Sequence, residues 1–458
     1  MAGTYYETNT IIGRACYLKG SGMTNTFIQP TTAYGVGTNR IFQVNNSVKF
    51  SDLTLQYGAL TNSQGSAIYS PLVAQVVLRN VNISSNQIVG VGGLAGGGAV
   101  YNSAATSSLT MSNCIIQNNL TSTGGVAAIN FACSTGFVSI VQCVFSGNQS
   151  ASGYSAALYA NALQVTISDS TFVGNTNSGT GANTSGGLFS AIAGGVTLLQ
   201  RCTFAYNYSG GVGGGLTLGN AATLINCTVY GNTALTANGG GGVNFINGYT
   251  TGMVYNCTIV SNTAPTAGAG IANSTATSYI GLFSSIVASN SATDLGGANP
   301  VYIYDGGKNL VGLNSGDTNN FPASVGITTN SHGSYVNVAS ALGPIVAPAN
   351  NGGLTMTCAI TNGLAIDHGT NILNLVTDQR GVGYIRTRGA GTDIGAYESG
   401  TPTSLSYSTN RFSELVPPNT GGIDNSNPLI ITLTGDTFAG SNNEDFVAAG
   451  LVLSLIHI

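Results

Sequence analysis

Charge is the scarcest property of this chain. Only 6% of its 458 residues are Asp, Glu, Lys or Arg, and the formal net charge is -4. Between residues 80 and 293 the charged side chains are Asp169 and Arg201 alone. Nucleic-acid binding needs a basic stripe that neutralises phosphates, and none can be drawn here. A paired-carboxylate glycosidase centre cannot be assembled in that span, which also holds no His. Trp is absent, and 66 glycines with few charged helix formers argue against a helical solenoid. No apolar run is long enough for a membrane-spanning helix. The opening residues, Met1-Ala2-Gly3-Thr4-Tyr5-Tyr6, lack the basic region and apolar core of a signal peptide. A Gly-, Asn-, Ser- and Thr-rich chain with so little charge nevertheless has the composition of an exported protein. The expectation is therefore a fragment of a longer product whose first coil is cut short. Residues 453–458, Leu453 to Ile458, read as a translated sequencing adapter.

What is present is a set of columns. Leu53, Val81, Cys114, Cys143, Ser170, Cys202, Cys227, Cys257 and Ser285 recur at intervals of 25 to 33 residues. Two residues after each lies an apolar residue, from Leu55 and Ile83 to Phe145, Phe172, Phe204 and Val287. Three residues before each lies another, from Phe50 and Leu78 to Val254 and Leu282. A period that tolerates insertions while keeping its columns predicts a stacked solenoid with the insertions in loops. Inward residues two apart mark strands, and the step of three between them marks a bend, occupied by pairs such as Ser51-Asp52, Arg79-Asn80, Ser168-Asp169 and Gln200-Arg201. A third strand follows a variable loop, as in Ala127-Ala128-Ile129 and Gly214-Gly215-Leu216, its small residues suiting a tight corner. Three parallel strands per unit make an all-β, right-handed parallel β-helix of the pectin-lyase-like type with nine or more coils.

Five residues after eight of the nine anchors sits an Asn: Asn86, Asn119, Asn148, Asn175, Asn207, Asn232, Asn262 and Asn290. Gly58 takes the place in the first coil. Asn and Gly both tolerate left-handed backbone, and stacked amides can bond along the rod, so a structural ladder at left-handed positions is expected. The cysteines at the anchors share their column with Ser, Val and Leu, which reads as packing rather than disulfide or zinc chemistry. Cys16, Cys133 and Cys358 show no pairing logic. Tyr69, Tyr101 and Tyr159 follow the third-strand aliphatic residue and should point outward, as β-formers.

From Asp294 the columns stop. Leu342-Gly343-Pro344-Ile345, Asn350-Asn351-Gly352-Gly353, Asp378-Gln379-Arg380-Gly381 and Asp393-Ile394-Gly395-Ala396-Tyr397-Glu398 follow. These motifs resemble the choice-of-anchor Q type of right-handed parallel β-helix protein. The repeats, Cys-Thr-Phe, then Asn, then Gly-Gly-Gly-Leu, are similar to those of chlamydial polymorphic outer membrane proteins. The resemblance covers about 40 to 400. It implies a bacterial surface or secreted protein held by a separate anchor, and it supplies no catalytic residues. The chain divides into a rod over 1–304, a last coil and cap over 305–400 that should cover the exposed end strand, and the start of an immunoglobulin-like sandwich over 401–452.

Any chemistry must use the cap. Asp367, His368, Asp378, Arg380, Arg386, Arg388, Asp393 and Glu398 are the densest polar set, which could form an acid/base or cation site; the structural reading is that Asp378, Arg380 and Asp393 pair to lock the cap onto the last coil. Asp305 and Asp317 with Asn309 and Asn314 could offer oxygens to calcium, without the spacing of a calcium loop. His332 reads as solvated. No catalytic, cofactor-binding or metal-ligating residue is assigned. The function expected is a non-enzymatic surface or secreted rod, adhesin or stalk, a monomer presenting itself to glycans or to molecules on other cells. The alternative is a polysaccharide lyase or hydrolase with its site in the cap.

Overall fold

The computed structural model describes residues 1–90, 97–237, 239–246, 251–266, 268–275, 278–299, 302–313, 320–321, 327–338, 346–360 and 363–400, with the backbone of Ser404–Tyr407 and Ile431–Thr434. Among them there is no α-helix. Strands stack in parallel into sheets of 23, 11 and 7 strands, a parallel β-helix of about 11 turns. At coil spacings of about 4.8 Å the stack is about 50 Å long.

One coil shows the path. Ser108–Ser112 and Ile115–Gln117 are the two halves of the widest sheet, divided by the bend. Leu120–Gly124 adds a short strand after the Asn, and Ile129–Phe131 closes the coil. The short strand, repeated at Gln149–Ser152 and Tyr208–Ser209, is absent from the three-strand expectation. It is only two to five residues long and carries little periodicity of its own.

Register follows the columns. Met111 lies between Leu78 and Ile140, Ile116 between Ile83 and Phe145, and Ile129 between Val100 and Leu158. All are buried, and Phe145, Phe172 and Phe204 stack inside at centroid spacings of 4.4 and 4.7 Å. Additional rungs occur at Thr26, paired above Leu53, and at Asn309 and Ser334 beyond Ser285. All eight cysteines are free.

The backbone departs from expectation at the Asn column. The Asn residues are not left-handed. The residue before each one is, from Tyr57 and Ser85 to Gly231 and Ser289, at φ 53–63°. The residue before each anchor is left-handed too, from Asp52 and Asn80 to Ser284 and Lys308, at φ 47–59°. Gly58 itself has ordinary φ. It is Gly because a Cβ there would lie 2.1 Å from the Ser66 carbonyl oxygen.

Each left-handed residue turns the next N–H into the core, where it needs an acceptor. The Asn column supplies one. Asn148 N and Nδ2 both donate to Asn175 Oδ1, at 3.2 and 2.8 Å, while Asn175 Nδ2 also donates to Phe145 O at 3.0 Å. The same pattern links Asn86 through Asn290, with Nδ2 to Oδ1 distances of 2.8–3.0 Å. The anchor column does the same with smaller groups. Cys114 N donates to Cys143 Sγ, Cys143 N to Ser170 Oγ, Cys257 N to Ser285 Oγ, and Ser285 N to Asn309 Oδ1. The thiols are acceptors as well as packing.

The amide ladder ends on Asp294, whose Oδ1 accepts Asn290 N and Nδ2 at 2.9 and 2.7 Å and whose Oδ2 accepts Leu313 N at 2.6 Å. Burial pushes the Asp294 carboxyl up to about 6 against these donors.

Two outcomes test the ladder. Asn175→Ala strands two buried donors of Asn148 and should lower stability by about 3 kcal/mol in denaturant unfolding. Asp294 titrates near 6 when folded and near 4 when unfolded, so its ionisation destabilises the fold as pH rises through 6. Wild type should lose about 2 kcal/mol relative to Asp294→Asn between pH 4 and pH 7. Parallel stability profiles for the two proteins would rule this out.

Candidate functional site

Residues 305–400 were expected as a last coil and a cap over the end of the rod. Within them, 346–360 and 363–400 run along its flank. The last rung, Tyr335–Val336, is closed by its own antiparallel partner, Thr328–Thr329. The flank segment docks over the outer face of the second half-strands, from the coil of Cys202 to that of Asn309. Thr203 Oγ1 donates to Met356 O, Thr228 Oγ1 to Gln379 Oε1, and Thr258 Oγ1 accepts Ala396 N. Residues at the bend join in. Asn226 Nδ2 donates to Thr377 O, Asn256 Nδ2 to Thr370 O, and Ser284 Oγ accepts Thr370 N. Beneath, Val260, Ile286, Ala288 and Leu310 form an apolar cluster with Cys358, Ile360, Ala365 and Ile394.

A signal for this docking is present in the outward column three residues past the anchor. It reads Gln56, Ser84, Gln117 and Ser146 in the early coils, then Val173, Ala205, Tyr230, Val260 and Ala288. The switch from polar to apolar begins one coil before the covered face.

The cap motifs converge on one buried polar knot within the flank segment. Arg380 Nη2 meets Asp378 Oδ2 at 2.6 Å, and the guanidinium sits between the rings of Tyr384 and Tyr397, 4.0 and 3.9 Å from their centroids. Arg380 Nη2 also donates to Glu398 O, and Glu398 N to Asp378 Oδ2. Gly353 allows this packing, since a Cβ would fall 2.5 Å from Arg380 Cα. Glu398 accepts Arg388 N and Asp393 N, with Arg386 Nη2 3.7 Å away. Burial pushes the Glu398 carboxyl up to about 8, with the Arg386 cation opposing. Asp393 accepts Asp367 N and Ser399 N, so it does not pair with Arg380, as the sequence suggested. Gln379 reaches the rod, its Nε2 lying within hydrogen-bond distance of Cys202 O and Thr203 Oγ1 and, on its own segment, of Thr355 Oγ1 and Met356 O, so that its two protons are shared among four acceptors. Asp378, Arg386, Asp393 and Glu398 are at most 1% exposed and Arg380 is 6% exposed. The carboxylate oxygens and the Arg380 protons are directed at one another and at backbone, whereas Arg386 engages only through Nη2, toward Asp393 O and Glu398, and its Nε and Nη1 are buried without a hydrogen-bond partner. Asp367 and His368 are at the rim, where Asp367 Oδ1 accepts Ala390 N and Gly391 N and His368 meets Tyr335 edge-on.

The other polar candidates are similarly spent. Asp305 accepts Asn309 Nδ2, Ser334 Oγ, Gly307 N and Asn330 Nδ2, and Asn309 Oδ1 accepts Ser285 N. Asp317 and Asn314 lie outside the described residues. His332 is 3.8 Å from Asp305 and tilted against Tyr304. Among the described residues no group of three or more His, Cys, Asp or Glu side chains is placed to hold a metal ion.

What the rod does present is aromatic. Tyr69 and Tyr101 stack outward at 5.9 Å with Arg40 over Tyr69, and Tyr159 stacks on Tyr154 and Phe189. A second set lies beside the flank segment, on the first half-strands of the late coils. There Tyr255 and Phe283 stack at 4.7 Å, and Tyr279 meets Tyr302 at 5.7 Å. Sequence reasoning missed this set because its residues occupy three different outward columns.

No protein-family model matches the chain, and no curated protein matches it.

Gln379→Ala should loosen the flank segment without unwinding the rod. For lost bonds worth about 1.5 kcal/mol, proteolytic nicking within 346–400 should accelerate about ten-fold with the β-sheet circular dichroism unchanged.

Proposed function

We propose that this chain is a non-catalytic β-helical rod, displayed on or secreted from a bacterial cell, that serves as an adhesin or stalk and holds glycans on its flanks. The observation that carries the reading is where the charge is. Asp294, Asp305, Asp378, Arg380, Arg386, Asp393 and Glu398 are all buried, and each carboxylate among them is bonded to backbone or side-chain donors. Acid–base catalysis needs a titratable group within hydrogen-bond reach of substrate. Between residues 80 and 293 the outer walls instead offer mainly hydroxyls, amides and rings, which suit recognition of a neutral polar surface. Exported location follows from the resemblance of the cap motifs and repeats to bacterial surface β-helix proteins.

The alternative, a lyase or hydrolase using the cap, requires Asp378 or Asp393 to meet substrate, and both are closed off by their own partners. Incubating the full chain with a panel of acidic and neutral polysaccharides, and scoring retention and new chain ends in the same tubes, separates the readings. Retention without cleavage is expected. Cleavage that disappears in folded Asp378→Asn or Asp393→Asn protein would establish the enzyme in its place.

A further inference from the structure

Cations gather on one face of the first coils. Residues 1–79 hold five of the chain's 11 Lys and Arg but two of its 15 Asp and Glu. Arg40 is folded over Tyr69 and bonds Gly65 O and Gln64 O, and Glu7, between Gly3–Tyr6 and Thr10–Ile12, accepts Thr10 Oγ1. The other four cations share the outer face of the first half-strands, where Cys16–Lys19 pairs with Val48–Gln56 and this with Gln75–Ser84. Register aligns Lys19, Ser51 and Arg79 in one column and Tyr17, Lys49 and Val77 in the next. Arg14 stands at the corner before Cys16. Arg14, Lys19 and Arg79 are exposed, and Lys49 is half-buried. The Arg79 column continues through Ser112, Val141, Ser168 and Gln200, so nothing in the fold demands cations here.

The one carboxylate on this face is occupied by its neighbours. Asp52 Oδ1 accepts Asn80 Nδ2 at 2.8 Å, and Oδ2 accepts Ser51 Oγ at 2.7 Å. These two bonds, with Lys19 and Arg79 acting at longer range, hold its carboxyl below the usual range. Among the described residues none of the four cations is in a salt bridge. Lys49 Nζ lies 4.6 Å from the centre of the Tyr17 ring, which orients the ammonium without neutralising it. The Tyr17 hydroxyl meets Ser51 Oγ at 2.8 Å and so fixes the ring. Beside Lys49 opens a groove of about 210 Å³ lined by Ala15, Ser47, Gln75 and Val77, none of them charged. Lys19 and Arg79 are two coils apart, about 10 Å.

We propose that this face binds an acidic polysaccharide, its carboxylates received by Arg14, Lys19, Lys49 and Arg79 and its chain crossing the three coils beside Lys49. The site rests on the reading of the chain as a glycan-holding rod and names the class of glycan and the place that holds it. Charge complementarity selects the ligand, since four unpaired cations gather here in a chain that is otherwise almost uncharged as far as residue 293. A small anion cannot touch Lys19 and Arg79 together across about 10 Å, whereas a polymer with repeated charges can. A nucleic-acid duplex carries a charge about every 1.7 Å of its axis, a density that four cations leave mostly unmatched. One carboxylate per sugar or per pair of sugars is a sparser pattern, and the hydroxyls between suit Ser47 and the exposed Gln75. An anionic lipid surface is the nearest rival, because Leu72 and Val73 are exposed at the neighbouring corner. A flat surface, however, does not enter the groove beside Lys49.

The test measures binding of the full chain to immobilised alginate, polygalacturonate, dextran, duplex DNA and phosphatidylglycerol vesicles. The two acidic polymers should bind and dextran should not. Binding should fade with salt, as the screening length falls from about 10 Å at 0.1 M to about 3 Å at 1 M. Lys19→Gln combined with Arg79→Gln should weaken it about ten-fold, the loss expected for two exposed ion contacts. Asp52→Asn should tighten it about two-fold, because it removes the one opposing charge, and Asn suits the left-handed backbone there at φ 59°. Lys308→Gln, at an exposed cation of the last coils, should leave it unchanged. The substituted side chains lie outside the core, so circular dichroism should match the wild type and exclude unfolding as the cause. Acidic-polymer binding indifferent to the Lys19, Arg79 and Asp52 substitutions would overturn the site and leave the glycan-holding rod standing. Binding of dextran alone would overturn the ligand class. Preference for the vesicles or the duplex would overturn the kind of partner. Binding to none of the five would remove both the site and the glycan reading.

Discussion

The rod depends on one recurring requirement, an acceptor for a backbone N–H that points into the core. From Leu53 to Ser285 every coil turns at two of its corners on a left-handed residue, one before the anchor and one before the Asn column. After each bend the next N–H faces inward, away from water, and leaving it unpaired would cost on the order of 1–3 kcal/mol. Two bends per coil over many coils would make the fold untenable without a repeating remedy. The remedy is a side chain one coil further along. At the wider bend Asn accepts the N–H and the preceding amide with one oxygen and donates both its protons, so all of its capacity is used. At the tighter bend Cys or Ser accepts with less bulk, and the hydrogen of Cys114 Sγ or Ser170 Oγ returns to the carbonyl two residues earlier.

That remedy gives the rod a direction. Every amide donates toward the carboxy-terminal end, so the dipoles of the column add, as peptide dipoles do along a helix. The donor end of such a column is the natural place for an anion, and Asp294 occupies it. The carboxylate is costly to bury, yet no neutral acceptor of similar size offers an oxygen to the ladder and another to Leu313 N. The last amide is thus satisfied without requiring another Asn, and the column can stop.

This logic also decides what was legible in the sequence. Residues that face inward answer to the same neighbours in every coil, so they recur, and Cys143, Phe145 and Asn148 announce strand, bend and ladder together. The left-handed residues do not recur in type. Asp52, Gln142, Arg201 and Lys308 all take that conformation, because the requirement is on backbone and their side chains lie outside the core, where Arg201 pairs with Asp169 and Asp52 accepts Asn80 Nδ2. Reading left-handedness into the Asn column was therefore the natural error, off by one residue. The flank segment was legible only as motifs. Asp378, Arg380 and Glu398 stand out as charge in a chain that has little, and they partner one another across no more than 20 positions, but where their segment docks is set by a fold-back of more than a hundred residues. Gln379 bonds Thr203, 176 positions away, and no local pattern encodes that.

The buried charges of the flank segment are best understood through that distance. A buried ion pair contributes little net stability, since desolvation offsets its attraction, but breaking one costs several kcal/mol. Arg380 between Tyr384 and Tyr397, with Asp378 and the Glu398 backbone at its edge, therefore disfavours half-closed arrangements more than it favours the closed one. The knot makes the segment adopt one shape, and Gln379 and the threonine column then fix that shape to one set of coils. Position along a repetitive rod is otherwise ambiguous, because each coil offers nearly the same wall. Only where Tyr230, Val260, Ala288 and Leu310 replace polar residues does the wall become distinctive. The pairing of a rigid knot with a locally apolar wall places Thr370 against Asn256 and Ser284.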